Sequence, residues 1–135
     1  MADMARFAAA AAATQRIRLV WPEGLATPGA GGAKLLLNMV LLGADALPRG
    51  GELRVGLAPA PGGLVAEVAA LAPEARLPEE LSAALAGTVP VADLSARSVQ
   101  ARWTGLVAAR LGTSVGVLAE PGIGVRFTAT LPAMD

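Results

Sequence analysis

One amide inside a long apolar stretch is the first side chain of this sequence that could do chemistry. Asn38 lies in "KLLLNMVLLGADALPRGGELRV", residues 34–55, a segment typical of a helix, a Pro/Gly turn and a strand. Asn38 is either the remnant of a nucleotide-binding site or an amide that is hydrogen-bonded to neighbouring backbone in a core. A buried polar group must be paired in both cases. We favour the second interpretation, in which Asn38 now serves structure.

Four charged residues are the next candidates. Asp45 and Glu67 would form a carboxylate pair for acid–base catalysis only if the fold brought them together, and nothing in their spacing does so. We interpret both as solvated charges. Arg97 and Arg102 could bind a phosphate in bidentate fashion, but an exposed helix face explains them equally well.

The composition excludes several kinds of site. The sequence contains no Cys, which removes disulfides, thiol nucleophiles and thiolate metal sites. It also contains no His, so imidazole bases, His ligands and phosphohistidine are impossible within this chain. We therefore predict no catalytic residue, no metal site and no cofactor.

Length and charge limit the partners. A chain of 135 residues is long enough for one domain with one core. Aromatic residues make up only 3%, so Leu, Val and Ala must build that core. Eleven basic and eleven acidic residues cancel, which gives no electrostatic reason to expect nucleic-acid or membrane binding. No apolar run reaches the roughly 18 residues that span a bilayer, and we expect a cytoplasmic protein.

The first third of the chain predicts a helix, a strand and a second helix. "MADMARFAAAAAATQR" is too weak in its apolar part for a signal peptide and favours a short Ala-rich helix. "RIRLVWP" alternates like a strand that ends at Pro22. Thr27-Pro28 then offers a cap and first residue for a long helix. Its buried stripe is predicted to be Leu35, Met39, Leu42 and Ala46, with Leu36, Val40 and Leu47 beside it.

The rest of the chain predicts two hairpins around two helices. "ELRVGLAP" and "GLVAEVAAL" form the first hairpin, and "PEARLPEELSAALAG" is a short helix that ends at Gly87. Asp93 or Ser95 caps a second long helix, which ends before Gly112. "SVGVLAEPGIGVRFTATLP" is a hairpin around Pro121-Gly122. The apolar face of the last helix is predicted to carry Val99, Trp103, Leu106, Val107 and Leu111.

This order of elements predicts an α/β fold, a two-layer sandwich in which a mixed sheet packs on two long helices. We place Trp21 and Trp103 in the core rather than at a contact site.

The order, together with its motifs, resembles the catalytic ATP-binding domain of histidine kinases and their GHKL (Bergerat-fold) relatives. In that family a leucine-rich helix with the word "NLLxNA" precedes a "GG" and a strand, and the last hairpin ends in "GxGxxF…LP". Here Asn38 stands at the first Asn, Gly50-Gly51 at the glycine pair, and "GIGVRFTATLP" at the end. The resemblance implies the sandwich fold named above.

The ATP-binding elements of that family are missing. Its second Asn helps hold Mg²⁺, but Leu42 stands at this position, and an alkyl side chain cannot bind a hard cation. "AALAPEARLPEEL" lacks the Asp and glycines of the adenine-binding "DxGxG". "ADLSARSVQ" lacks the glycines of a phosphate-covering lid. We therefore predict no cofactor-binding residue, with Asn38 as a vestigial nucleotide-box position.

Three segments together resemble the C-terminal domain of ChpT-type histidine phosphotransferases: "KLLLNMVLLGADALPRGGELRV", "LSARSVQARWTGLVAARLG" and "VRFTATLP". Members of that family do not use ATP. They pass phosphoryl groups between a hybrid kinase and response regulators through a His on an N-terminal helical hairpin. This chain has no such His, so we expect the C-terminal portion of such a protein. Residues 1–14 would be the tail of the hairpin or an N-terminal helix, and residues 15–135 the degenerate GHKL-like domain.

The resemblance implies a pseudo-catalytic domain that binds no ATP, supports the hairpin and helps dock a response-regulator receiver. The chain itself is then no enzyme, whereas its full-length parent is a phosphotransferase. Its partners, through the parent, are the receivers of a response regulator and of a hybrid kinase. The hairpin dimerises the parent, which leaves this piece free to be a monomer. The Ala-rich segment with the adjoining sheet edge is the expected docking surface.

Two alternatives stay open. The chain is a divergent GHKL ATPase or histidine kinase domain, or it is a stand-alone interaction domain that has left phosphorelay. An in-frame hairpin bearing a His upstream would separate these from the first interpretation.

Overall fold

The strands and helices follow the predicted order from Ile17 onwards. The structure is a computed structural model, and it describes residues 17–21, 30–61 and 63–132. The predicted Ala-rich helix and the predicted helix start at Thr27-Pro28 lie outside the described residues. The elements are β1 (Ile17–Val20), α1 (Ala30–Asp45), β2 (Gly51–Ala60), β3 (Gly63–Leu71), α2 (Glu79–Ala86), a 3₁₀ turn (Val91–Asp93), α3 (Ala96–Arg110), β4 (Gly116–Glu120) and β5 (Gly124–Pro132).

The five strands form one mixed sheet in the order β1-β2-β3-β5-β4. β1 runs parallel to β2, and the other neighbours are antiparallel. Alternate side chains of a strand point to opposite faces, so one face is apolar and the other polar. Central pairs such as Val68 opposite Phe127 lie on the apolar face and are fully buried. The α/β sandwich with a mixed sheet is confirmed.

α1 is the helix on which the sheet packs. All seven residues of the predicted stripe are at most 1% exposed, although Ala46 and Leu47 follow the last residue of the helix, Asp45. Gly43 lets the helix come close to the sheet, because a Cβ there would lie 2.8 Å from Leu53 Cδ1. Full burial of one Leu or Met side chain contributes roughly 1.5–3 kcal/mol, which makes α1 the main apolar anchor of the domain. The stripe consists of Leu35, Leu36, Met39, Val40, Leu42, Ala46 and Leu47.

The prediction that two long helices both lie on the sheet is not fully confirmed for α3. This helix packs mainly against α1 and α2. The physical reason is a close contact at Gly105, where an added Cβ would lie 2.3 Å from the carbonyl oxygen of Leu85. A helix held this close has room only for small side chains at its contact face.

The predicted apolar face of α3 is therefore wrong in part. Val107 is buried and Leu111 is half-buried, but Val99, Trp103 and Leu106 are 50%, 40% and 39% exposed. Trp103 is thus not a core residue, while Trp21 is partly buried against the core. The residues that face inward are mostly small or polar: Ser98, Ala101, Thr104, Val107 and Ala108.

Caps and turns lie close to where the sequence indicated them. Ser95, rather than Asp93, caps α3, and Ser95 and Ser98 form a reciprocal capping box. Gly87 and Gly112 follow α2 and α3 with left-handed φ values of 82° and 75°. α2 is shorter than predicted, because Pro78 stands at its N-cap position and residues 73–78 are not helical.

The contact at Gly105 is testable by substitution. Gly105→Ala gains up to about 1 kcal/mol of helix propensity, yet we expect a net loss of about 1–3 kcal/mol because the methyl group forces α3 away from α2. The measurement is urea unfolding followed by circular dichroism. Gly56→Ala is the matched control, since a Cβ there meets nothing within 4 Å. If both variants were equally stable, the close contact would not limit the packing of α3.

Candidate functional site

Asn38 links α1 to α3. It is 7% exposed, and its Nδ2 donates a hydrogen bond to the carbonyl oxygen of Lys34 at 2.8 Å. Its Oδ1 accepts a hydrogen bond from Gln100 Nε2 at 2.5 Å. The backbone partner agrees with the structural interpretation of Asn38. Gln100 was missed, because nothing in the sequence separates it from a surface glutamine until the two helices are packed.

The polar groups around this link are satisfied locally. Thr104 Oγ1 donates to the carbonyl oxygen of Gln100 at 2.9 Å, and Ser98 Oγ donates to the carbonyl oxygen of Ser95 at 3.2 Å. Within the described ranges, no buried side-chain nitrogen or oxygen lacks a hydrogen-bond partner. The buried polar side-chain atoms at the contact between α1 and α3 are therefore paired within the described part of the protein.

Leu42 lies one turn after Asn38 and is 0% exposed. It belongs to the apolar core. An alkyl chain in this place excludes a cation ligand and stabilises the domain by burial. The vestigial nucleotide role assigned to Asn38 stays a prediction.

Asp45 and Glu67 are kept apart by the sheet. Asp45 ends α1 on the helical side, whereas Glu67 lies on the outer face of β3 and pairs with Arg126, with 2.6 Å between Oε1 and Nη1. Burial raises the pKa of the Asp45 carboxyl above its ordinary value, and the attraction of Arg97 partly offsets that rise. The two carboxylates form no catalytic pair. Arg97 is exposed as predicted, but it also faces Asp45.

The outer face of the sheet carries ion pairs rather than a site. Arg126 also contacts Glu120, with 2.8 Å between Nε and Oε1. The two carboxylates raise the pKa of the Arg126 guanidinium. Such exposed pairs contribute about 0–1 kcal/mol each. In the part of the chain that the structure describes, no cluster of three or more His, Cys, Asp or Glu residues could hold a metal ion, and no helix could span a membrane.

The connection between α2 and α3 stands where the resembled kinases have their lid. It is short, and it contains Pro90 and the 3₁₀ turn. Ser95 Oγ donates to Glu80 Oε1 at 2.7 Å, which ties the start of α3 to α2. Thr88 Oγ1 donates to the carbonyl oxygen of Ala83 at 3.1 Å, which fixes the beginning of the connection to α2. The connection is thus fastened to both helices.

A groove in the described surface lies between the start of α1 and the second half of α3. The Lys34 ammonium lies over the Trp103 ring, 5.1 Å from its centroid. This groove was not expected from the sequence, in which Trp103 and Leu106 were predicted to lie in the core. It has a volume of about 170 Å³ and is lined by Gly31, Lys34, Trp103, Leu106, Val107, Arg110 and Leu111.

Comparison with known proteins agrees with the fold. The family model "Histidine phosphotransferase C-terminal domain" matches residues 1–122. A bacterial phosphotransferase solved at 1.7 Å is similar, with a TM-score of 0.79 and 27% identity over 95% of this chain. This chain spans 62% of that protein's length. Full-length ShkA, solved in complex with AMPPNP, shares the fold, with a TM-score of 0.67 and 21% identity over 96% of this chain and 28% of that one. No protein of curated function matches the sequence.

The link between α1 and α3 predicts energetic coupling. Asn38→Ala and Gln100→Ala should each lower the free energy of unfolding by about 1–3 kcal/mol, because each leaves a buried polar partner unpaired. The double variant should lose less than the sum, by about 0.5–1.5 kcal/mol. Asn38→Ala combined with Thr130→Ala, an exposed residue of β5, is the control and should be additive. If the losses of Asn38→Ala and Gln100→Ala were additive, the hydrogen bond between the two side chains would contribute nothing to stability.

Asp45 predicts a dependence of stability on pH. Its pKa is raised in the folded state above 3.8, so its ionisation destabilises the fold as pH rises from 3.8 through the folded pKa. Asp45→Asn should therefore be more stable than the unsubstituted chain at pH 7 and should lose that advantage below pH 3.8. Arg97→Gln should lower stability at pH 7 by less than about 1 kcal/mol, and it should have no effect in the Asp45→Asn background. Thermal melts across this pH range provide the measurement. A gain from Asp45→Asn that did not change with pH would exclude titration as its cause.

Proposed function

We propose that this chain, which belongs to the histidine phosphotransferase C-terminal domain family, is a domain that binds no ATP and supports phosphotransfer carried out elsewhere in its parent protein. One observation carries the proposal. The resembled kinases have an asparagine at each of two helix positions. Here Asn38 occupies the first, and its amide is hydrogen-bonded to Lys34 and Gln100. Leu42 occupies the second and is fully buried. Neither side chain can turn to a nucleotide without breaking the contact between α1 and α3 or opening the core.

The connection between α2 and α3 supports the same proposal. A phosphate-covering lid needs glycines so that its backbone can wrap the phosphates. The corresponding stretch, "ADLSARSVQ", has no glycine and is capped and tied to Glu80. The chain has no His, so it cannot itself carry phosphohistidine. The absence of activity in this domain is thus expected from its own residues.

The parent's role is part of the proposal. We infer a cytoplasmic phosphorelay protein in which a helical hairpin carries the phosphorylated His and forms the dimer. In this arrangement the domain supports the hairpin and helps dock two kinds of receiver, one from a hybrid kinase and one from a response regulator. The chain spans under two thirds of the bacterial phosphotransferase that it resembles, which is consistent with a further segment of this kind in the parent.

A stand-alone interaction domain is the second candidate. The observation that favours it is the exposed apolar face of α3, which is suited to a partner whether or not a hairpin precedes the domain. The two candidates differ in the coding sequence upstream of Met1. A His-bearing helical hairpin in frame would support the phosphorelay role, and its absence would leave the interaction domain.

Nucleotide binding gives the direct test. Thermal melts with and without millimolar Mg-ATP should superimpose, whereas a ligand present at about 100 times its Kd would raise stability by about 2.7 kcal/mol. A histidine kinase ATP-binding domain under the same conditions is the positive control and should shift upward. A clear rise in the melting temperature of this chain would overturn the proposal and favour the divergent GHKL ATPase or kinase.

A further inference from the structure

We propose that the outward face of α3, together with the start of α1, docks an amphipathic helix of a receiver domain, and that this helix carries acidic residues beside its apolar stripe. We call this surface the α3 face; it consists of Val99, Trp103, Leu106, Arg110 and Lys34. The inference rests on the proposed receiver docking and specifies where, and by what chemistry, it occurs. It moves the docking surface away from the N-terminal sheet edge that the sequence favoured.

The arrangement of large and small residues on α3 is the first argument. Val99, Trp103 and Leu106 are spaced i, i+4 and i+7, so they form one stripe along the helix. They point outward with 39–50% exposure, while Ala101, Ala108 and other small residues point inward. A single exposed apolar residue needs no explanation, but a contiguous apolar stripe is typical of an interaction site.

The shape of the α3 face is the second argument. Beside the stripe lies the groove of about 170 Å³, which is bordered by Trp103, Leu106 and Arg110 on α3 and by Lys34 on α1. A concave apolar groove accepts protruding side chains, and an amphipathic partner helix offers them at the same i, i+4 and i+7 spacing. Trp and Arg are also the residue types that dominate interface energetics. A bilayer is a weaker fit, because helices that bind membranes insert a protruding apolar face rather than a groove.

The charge of the α3 face indicates that its partner helix is acidic. α3 contains three arginines and no Asp or Glu, although the whole chain is neutral. Arg97 faces Asp45 and Arg102 lies against Gly87 at the end of α2, so Arg110 is the arginine at the groove. Lys34 adds a second basic group at the groove. Among the described residues, no salt bridge joins Arg102 or Arg110 to a carboxylate. A basic face is complementary to an acidic helix. The same charges disfavour a second copy of this chain, since two α3 faces would bring arginines together.

The experiment titrates the ¹⁵N-labelled chain with the purified receiver domain of each response regulator encoded in the same genome. A receiver that docks should shift the amides of α3 and of the start of α1 more than those of the sheet. Trp103→Ala should weaken its binding by about tenfold or more, as expected for an interface hot spot. Val65→Ala is the matched control: Val65 is 39% exposed, on the outer face of β3, and its loss should leave the Kd unchanged.

A charge swap separates docking from a general loss of structure. Arg110→Glu should weaken the same complex, and replacing an acidic residue of the receiver helix with Arg should restore it. Trp103→Ala and Arg110→Glu must both keep the melting temperature of the unsubstituted chain. Trp103→Phe, which keeps an aromatic ring, should retain most of the affinity.

The outcomes distinguish the inference from the function on which it rests. If no receiver shifts any amide at millimolar concentration, receiver docking by this domain fails, and the α3 face fails with it. If a receiver binds, but Trp103→Ala and Arg110→Glu bind it as well as the unsubstituted chain does, receiver docking stands and its assignment to the α3 face is wrong. Trp103-dependent binding to phosphatidylglycerol vesicles, or Trp103-dependent dimerisation of the chain, in place of receiver binding would overturn the helix as occupant.

Discussion

The close approach of α3 to α2 is the constraint on which the rest of this structure depends. Gly105 brings the α3 backbone against the Leu85 carbonyl, at a distance that leaves no space for a Cβ. Helices in such close contact exclude large side chains from their interface, so the small residues of α3 face inward. The large apolar residues of the same helix must then face away from the domain. One backbone contact thereby determines both the packing of the third helix and the character of an exposed surface.

The contact of α3 with α1 has a second element, which is polar. Asn38 and Gln100 join the two helices through side-chain amides, and Lys34 and Trp103 meet one turn away. A buried amide pair is specific, because a shift of either helix along the other would leave donors and acceptors unpaired. In the resembled kinases this helix faces a nucleotide. Here its one amide instead fixes the position of a neighbouring helix, and the adjacent position is a core leucine.

These two features support the proposal that the domain keeps the frame of an ATP-binding fold without its chemistry. The sheet and α1 need only an alternating pattern and a broad apolar stripe, and both are present. Nucleotide binding would require polar groups at the surface of the sheet and α1 that are not already paired within the protein. The described residues instead satisfy their buried polar groups among themselves, and the groove between α1 and α3 is mainly apolar with a basic rim. Such a surface accords with the proposed recognition of another protein.

The local elements of this protein follow from its sequence, and the outward surface follows from tertiary packing. The strands, the buried stripe of α1, the glycines after α2 and α3 and the caps could be predicted because each depends on neighbours a few residues away. The departures from the ATP motifs can be read directly from the sequence, since Leu42 and the lack of glycine in "ADLSARSVQ" are visible in the chain itself. The orientation of α3 could not, because its sequence carries apolar residues on two faces. Which of them faces inward is decided by the room that α1 and α2 leave, and Leu85 sets that limit from 20 residues away. The partner of Asn38 was hidden for the same reason: Gln100 becomes its neighbour only when the two helices meet.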